Sequence, residues 1–187
     1  INDVGSAIMT NVDKSYRTGI ELSGGYYFTG DMALNANAAF SRNKIIDFIE
    51  KVDNWELGGQ LSDSLGKTNL AFSPNAVCGL EFLWKPLKGL TASFEGKYVS
   101  RQFIDNTSSN DRSLDPYLVN NLKISYSINP GLIKEMVVSL AVNNIFNQKY
   151  ETNAWVYRYY YEGTYQNMDG YFPQAGINLM AGLSIKL

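Results

Sequence analysis

The sequence predicts an all-β fold, a transmembrane antiparallel β-barrel, and three observations support that prediction. Apolar and polar residues alternate with period two along seven segments, as in strands with one apolar face. Short turns and long loops alternate between those segments, as they do in outer-membrane barrels. The segments are 9 to 13 residues long, which fits the roughly 9–11 residues of a tilted membrane-spanning strand. A soluble sandwich would explain the alternation of residues, but not the alternation of loop lengths.

Each of the seven predicted strands separates an apolar face from a polar one. In chain order, the strands are expected at about 16–28, 32–41, 76–84, 90–99, 118–128, 136–144 and 177–187. The apolar face takes, strand by strand, Ile20 and Leu22, Leu34 and Ala36, Leu80 and Phe82, Ala92 and Phe94, Leu122 and Ile124, Val138 and Leu140, and Leu179 and Leu183. The polar face takes Glu21, Asn35 and Asn37, Glu81, Glu95 and Lys97, Asn121 and Lys123, Ser139 and Asn143, and Lys186.

The connections divide into two kinds. "TGD" at 29–31, "KPLKG" at 85–89 and "NPGLIKE" at 129–135 are short and rich in turn residues. The intervals 42–75, 100–117 and 145–175 are long and polar or aromatic. Every long connection then falls at one end of the sheet, where a barrel has its extracellular loops.

Aromatic residues mark both ends of the predicted strands. Tyr26, Trp84 and Tyr126 precede the short turns, and Phe40 and Tyr98 precede the long loops. Rings at both membrane–water interfaces form such belts, although aromatic residues also favour strands in general.

Composition weighs against several other classes of protein. The net charge of −2 lacks the basic excess of a nucleic-acid-binding domain. The chain has no His, the commonest general base, and no G-x-S-x-G stretch, so an enzyme is not expected. No cofactor is expected either. Cys78 is the one cysteine, and it is expected to be a chemically inert packing residue on the apolar face.

Seven strands cannot close a bacterial single-chain barrel, which has an even number. Tracing the strands back from the last one places residues 1–13 in an extracellular loop. An open sheet would also leave unpaired edges in lipid. The sequence therefore predicts the C-terminal part of a larger barrel, with earlier strands upstream.

Three stretches resemble the last third of TonB-dependent outer-membrane receptors. They are "NVDKSYRTGIELSGGYYFTGDMALNANAAFS", "GKTNLAFSPNAVCGLEFLWKPLKGL…NNLKISYSI" and "VVSLAVNNIFNQKYETN". The resemblance implies that residues 1–187 belong to a 22-stranded barrel of which these are the last seven strands, without the N-terminal plug domain. It further implies a bacterial outer-membrane receptor and transporter for a scarce solute, a ferric siderophore or other metal chelate, driven through TonB.

The resemblance also implies partners and leaves alternatives open. The implied partners are outer-membrane lipid, the receptor's own plug, TonB, the barrel-assembly machinery, a small-molecule chelate and a surface lipoprotein. The solute could instead be cobalamin, haem, a glycan or a peptide. A barrel that serves as an adhesin or structural anchor, without transport, is a further alternative.

The interval 154–172 is the most unusual stretch, because it gathers many rings around one arginine. Rigid amphipathic rings suit a binding surface, and the arginine could meet an anionic chelate. The expected ligand-binding residues are Trp155, Tyr157, Arg158, Tyr159, Tyr160 and Tyr161. The alternative is a hairpin above the membrane whose rings pack on neighbouring loops.

Three further groups of residues have expected roles. Polar-face residues that could meet the plug are Glu21, Asn35, Asn37, Glu81, Glu95, Lys97 and Lys123. The last strand resembles an outer-membrane assembly signal at Gly182, Leu183, Ile185 and Leu187, although the family usually ends in Phe. The acidic stretch 101–115 suggests calcium but lacks the EF-hand spacing, so a solvated turn without metal is expected.

Overall fold

The computed structural model describes residues 12–131 and 133–186, and most of them lie in β-strands. The strands are β1 (Ser15–Thr29), β2 (Met32–Asn54), β3 (Gln60–Asn69), β4 (Ala76–Leu87), β5 (Leu90–Val99), β6 (Gln102–Phe103), β7 (Ser113–Leu114), β8 (Tyr117–Ile128), β9 (Glu135–Asn143), β10 (Glu151–Tyr161), β11 (Thr164–Pro173) and β12 (Asn178–Lys186). A single 3-10 turn is described, at Asn110–Arg112. Within these ranges no helix has the length and apolar character that a membrane crossing requires.

All seven predicted strands are confirmed, and they form one curled antiparallel sheet. Neighbours pair in the order β1, β2, β4, β5, β8, β9, β12. The three short turns join the strands at one end of the sheet, and the long connections join them at the opposite end. Residues 1–11 of the expected extracellular loop and Leu187 of the expected assembly signal lie outside the described residues.

The strand register confirms the predicted division into two faces. Phe82 lies opposite Leu34 and Phe94, whereas Glu81 lies opposite Asn35 and Glu95. One residue of slip would exchange the two faces, so the pairing and the alternation support each other. The apolar face is open to its surroundings: exposed side chains include Ile20 at 65%, Leu118 at 53% and Leu183 at 64%. An apolar surface this large is typical of a protein that contacts lipid or another protein.

The long connections, which the sequence predicts as loops, contain further strands. β2 continues to Asn54 and forms a hairpin with β3. β10 and β11 form a second hairpin, which leaves β9 and reaches β2, where β10 pairs in parallel at Asp53 and Asn54. We call these two hairpins, β2–β3 beyond Asp47 and β10–β11, the outer hairpins.

β2 is interrupted where it leaves the main sheet. Its register with β3 shifts on both sides of Phe48, and Asp47 has a φ of 58°. A non-glycine residue in the left-handed region is uncommon. β2 therefore bulges at this point, and its side chains change face.

The hydrophobic core lies at the long-loop end of the molecule. The most deeply buried large side chains are Ile45, Val52 and Leu114. Leu114 also packs with Ile104 and Ala154, which joins β7 to the second outer hairpin. The outer hairpins and the 100–117 connection thus form one packed unit, which we call the outer unit, while the main sheet exposes its apolar face.

Candidate binding surface at the outer hairpins

The predicted ligand-binding residues all lie on β10, but on two different faces of it. Side chains two residues apart share a face of a strand, so Trp155, Tyr157, Tyr159 and Tyr161 stand together. We call these four side chains the ring face. Arg158 and Tyr160 point to the opposite side, and the predicted group is therefore divided in two.

The ring face continues onto the first outer hairpin through Trp55. Its indole stacks on Tyr159 with ring centroids 4.0 Å apart, and Tyr159 stacks in turn on Tyr157 at 5.9 Å. Trp55 is 52% exposed and Trp155 is 47% exposed, so both indole rings are in part open to solvent. Trp55 was not among the predicted binding residues, because it lies about one hundred residues from its partners. The turn "NWELGG" around it was the available local signal.

Asp53 anchors the ring face by accepting two hydrogen bonds. Tyr157 donates from its hydroxyl to Oδ2 at 2.7 Å, and Gln60 donates from Nε2 to Oδ1 at 2.8 Å. Trp55 Nε1 donates to the Tyr157 hydroxyl at 3.1 Å. These contacts stabilise the charged carboxylate, so the hydrogen bond from Gln60, followed by that from Tyr157, holds the pKa of Asp53 below its ordinary value. Burial first, and then the bond to Asp53, raise the pKa of Tyr157.

Arg158, predicted to meet a ligand, already has partners within the protein. Its Nη1 donates to Glu50 Oε2 at 2.8 Å, and its guanidinium lies 4.1 Å from the centre of the Tyr165 ring. Tyr165 in turn donates to Asp63 Oδ2 at 2.6 Å, and this bond is the first cause that raises the pKa of the phenol. The face of β10 that carries Arg158 is thus held against the β2–β3 hairpin.

Glu50 lies at the centre of a buried ionic cluster that the sequence did not reveal. Arg112 Nη1 contacts Glu50 Oε1 at 2.7 Å and Asp105 Oδ2 at 2.8 Å. The Arg112 and Glu50 side chains are 6% and 9% exposed. Together with Arg158 the cluster has two positive and two negative groups, so each buried charge is paired, as burial requires. We call Glu50, Asp105, Arg112 and Arg158 the ionic clasp.

The acidic stretch 101–115 uses its carboxylates within the fold. Asp105 binds Arg112 and accepts from Thr107, and Asp115 pairs with Arg101 at 3.2 Å. Within the described part of the chain, no group of three or more His, Cys, Asp or Glu side chains is placed to hold a metal ion.

Asn144 organises the start of the last long connection. It has a φ of 51° and is 3% exposed. Its side-chain Nδ2 donates to the backbone carbonyls of Gln148 and Ala175, and its Oδ1 accepts from the backbone N–H of Gln148. The resemblance had singled out this "NNIFNQKY" segment, and the contacts supply its physical reason.

The expected plug-facing residues share the polar face of the main sheet. Asn35 donates to Glu81 Oε2 at 2.9 Å, and Glu81 lies opposite Glu95 in the register. On the last strand, Gly182 lies opposite Ser139, and Ile185 lies opposite Met136. The placement agrees with the predicted faces, and the predicted roles in plug contact and assembly stay predictions.

A family model described as TonB dependent receptor-like, beta-barrel matches residues 1–145. The chain belongs to the TonB-dependent receptor family. This confirms the resemblance and the predicted fold class. The family consists of outer-membrane receptors and transporters, and at that level the chain groups with non-enzymes.

Solved structures of TonB-dependent receptors share the fold of this chain. The siderophore receptor PiuA from Acinetobacter baumannii matches with a TM-score of 0.63 and 16% identity, over 91% of this chain and 22% of that one. The ferric yersiniabactin uptake receptor FyuA from Yersinia pestis matches with a TM-score of 0.57 and 16% identity, over 92% and 24%. The chain therefore spans about a quarter of the length of these structures. A search of curated proteins finds no match.

Proposed function

We propose that this chain is the C-terminal part of an outer-membrane receptor that binds a scarce solute, a ferric siderophore or other metal chelate, and imports it with energy supplied through TonB. The observation that supports a binding role most directly is the ring face with Trp55, an exposed and rigid aromatic surface beyond the apolar band. The plug, the TonB contact and the remaining strands belong to other parts of the same receptor.

The ring face is the proposed point of solute contact. Stacked rings lose little conformational entropy on binding and present both an apolar surface and hydroxyl groups. Trp55, Tyr157 and Tyr159 already stack on one another and are fixed through Asp53. A solute with an apolar flank would therefore meet a preorganised surface, which lowers the free-energy cost of binding.

The charge of the outer hairpins narrows the proposed solute. Residues 47–69 and 151–173 contain eight carboxylates and three cationic side chains. The carboxylates are Asp47, Glu50, Asp53, Glu56, Asp63, Glu151, Glu162 and Asp169, and the cations are Lys51, Lys67 and Arg158. Arg158 is paired with Glu50, so the field at the hairpins is negative. Such a field favours a neutral or cationic chelate over an anionic one.

Binding to the full-length receptor tests the proposal. Purified receptor is titrated with a cationic ferric trihydroxamate, an anionic ferric tris-catecholate, cobalamin and haem, and Trp fluorescence reports binding. Tight binding of a ferric chelate alone is the expected result. Tight binding of cobalamin or haem instead would show that the receptor takes one of the alternative solutes. If none of the four binds, the proposal of chelate import is wrong.

A pair of matched variants tests the ring face itself. Trp155→Ala with Tyr159→Ala is expected to weaken chelate binding at least about tenfold, since buried aromatic anchors contribute about 2 kcal/mol or more. Tyr171→Ala with Phe146→Ala removes two exposed rings that lie off the ring face and is expected to leave the affinity unchanged. Equal affinities in the two variants would remove the ring face from the site.

TonB dependence has a separate test. Cells that express the full receptor should take up the bound chelate only when TonB is present. Uptake at the same rate without TonB would contradict energy coupling but would leave the binding proposal intact.

A further inference from the structure

Three cationic side chains gather on the outward, apolar face of the sheet just beyond its apolar band. Arg42 lies opposite Thr18, and Lys44 lies opposite Tyr16, in the same uninterrupted register that places Ile20 opposite Phe40. Because side chains alternate, Arg42 and Lys44 share the face of Ile20 and Phe40. They are two and four residues further along β2 than Phe40.

Lys67 joins them from the neighbouring hairpin strand. Its Nζ lies 5.0 Å from the centre of the Tyr16 ring, and Tyr16 is the partner of Lys44. Asn69, two residues after Lys67, lies opposite Lys44 on the other side of β2. We call Arg42, Lys44 and Lys67 the cationic rim.

The cationic rim is not neutralised by the protein. Among the ion pairs of residues 12–131 and 133–186, none includes Arg42, Lys44 or Lys67. Arg42 and Lys67 are exposed, and Lys44 is half-buried. Of the neighbouring carboxylates, Asp47 has Lys14 as its partner at 4.0 Å. Three positive charges therefore face the medium that surrounds the barrel.

An apolar surface lies directly below this rim. Ile20 and Phe40 are 65% and 52% exposed, and a surface hollow lined by Thr18, Ile20, Phe40, Arg42 and Asn75 joins the two regions. The nine residues from Met32 to Phe40 match the roughly 9–11 residues with which a tilted strand crosses the apolar layer. The cationic rim therefore lies at headgroup height.

We propose that the cationic rim binds the phosphate groups of an outer-leaflet glycolipid of the lipid A type, whose acyl chains lie along Ile20, Leu22 and Phe40. This rests on the outer-membrane location in the proposed function, which places the long-loop end of the sheet outside. Charge complementarity decides the occupant. Guanidinium and ammonium groups bind phosphate strongly, and an acyl chain matches the apolar strip beneath them.

Lipid retained by the purified full-length receptor tests this inference. The receptor is incubated in micelles with lipid A, dephosphorylated lipid A or phosphatidylglycerol, and retained lipid is measured by mass spectrometry. The expected result is at least tenfold more lipid A than either competitor. Equal retention of dephosphorylated lipid A, or of phosphatidylglycerol, would overturn the assignment. Displacement of lipid A by inorganic phosphate alone would also overturn it.

Matched variants locate the site. Arg42→Gln with Lys44→Gln and Lys67→Gln is expected to lower lipid A retention at least about tenfold, since each cation near an anionic surface contributes on the order of 1 kcal/mol. Lys85→Gln with Lys88→Gln and Lys134→Gln removes the same charge from exposed lysines at the short-turn edge and should retain lipid A as the unmodified receptor does. Equal retention by both triple variants would refute the site.

Two further measurements keep the test decisive. If the first triple variant assembles poorly, Arg42→Gln alone is used, and the affinity of the unmodified receptor is measured against salt. Screening should weaken lipid A binding as salt rises, and a salt-independent affinity would contradict the charge mechanism. A receptor that retains lipid A but binds no chelate would overturn the proposed solute and leave this inference standing.

Discussion

Replacing Glu50 with Gln is expected to release the β10–β11 hairpin from the rest of the outer unit. Glu50 contacts Arg112 and Arg158 with its two oxygens, at 2.7 Å and 2.8 Å, and its side chain is 9% exposed. Gln keeps the shape but removes the charge, so Arg112 would keep only the Asp105 carboxylate, and Arg158 would lose its ion pair with Glu50. Breaking a buried ion pair on one side costs about 3–5 kcal/mol.

Amide hydrogen exchange in the full receptor measures this effect locally. A two-stranded hairpin alone is marginally stable in water, so the amides of β10 and β11 report whether the hairpin is docked. A loss of about 3 kcal/mol corresponds to exchange faster by roughly two orders of magnitude. The amides of β5 and β8 in the main sheet should be unaffected.

Asp115→Asn supplies the control, because it makes the same chemical change in an exposed ion pair. Asp115 is 84% exposed and its partner Arg101 is 47% exposed, and such pairs contribute about 0–1 kcal/mol. Exchange in β10 should therefore remain as in the unmodified receptor. If Glu50→Gln and Asp115→Asn leave β10 equally protected, the ionic clasp does not hold the hairpin, and the reasoning from buried charge is wrong.

Three other outcomes are expected. Asn144→Ala should lower the local stability of residues 145–175 by about 2–4 kcal/mol, because it removes several hydrogen bonds of about 1 kcal/mol each from a buried site with positive φ; unchanged exchange there would contradict this. Because the pKa of Asp53 is depressed, its contribution to the stability of the outer hairpins is complete above the ordinary Asp pKa. That contribution is lost as pH falls through the lower pKa of the folded state. Exchange at Tyr157 should therefore quicken only in acid, and in Asp53→Asn that pH dependence should disappear. Deletion of Leu187 should reduce outer-membrane assembly of the full receptor, and normal surface levels would count against an assembly signal in the last strand.

The strands of the main sheet could be predicted because one face of each is apolar and the other polar. That contrast imposes period two on segments such as β4 and β12, with Gly, Pro or Asn at the turns. The outer part of β2 gave no such signal. Ile45, Ile46, Phe48, Ile49 and Val52 follow helical more than strand spacing, because the bulge at Asp47 changes which side chains face the core.

The candidate site was only partly predictable for a different reason. The rings of β10 are dense in the sequence and could be noticed without a structure. Their division into two faces follows from pairing with β2, and the partners Trp55 and Glu50 lie about one hundred residues away. Nothing local in the sequence marks Glu50, Arg112 and Arg158 as one group, since only the fold brings their charges together.

The bulge in β2 has a mechanical consequence. From Met32 to Phe40 the strand lies between β1 and β4, and beyond Asp47 it belongs to the outer unit. The lower part of β2 is thus held in the barrel wall and the upper part in the outer unit, with the bulge at Asp47 between them. Because ion pairs of Glu50 join the upper part of β2 to Arg112 and Arg158, and β10 also pairs with it at Asp53 and Asn54, any rotation at the bulge would move the outer unit as one body. Forces on the rings would then reach the barrel wall through β2 and through the segments that join the outer unit to β4, β5, β8, β9 and β12.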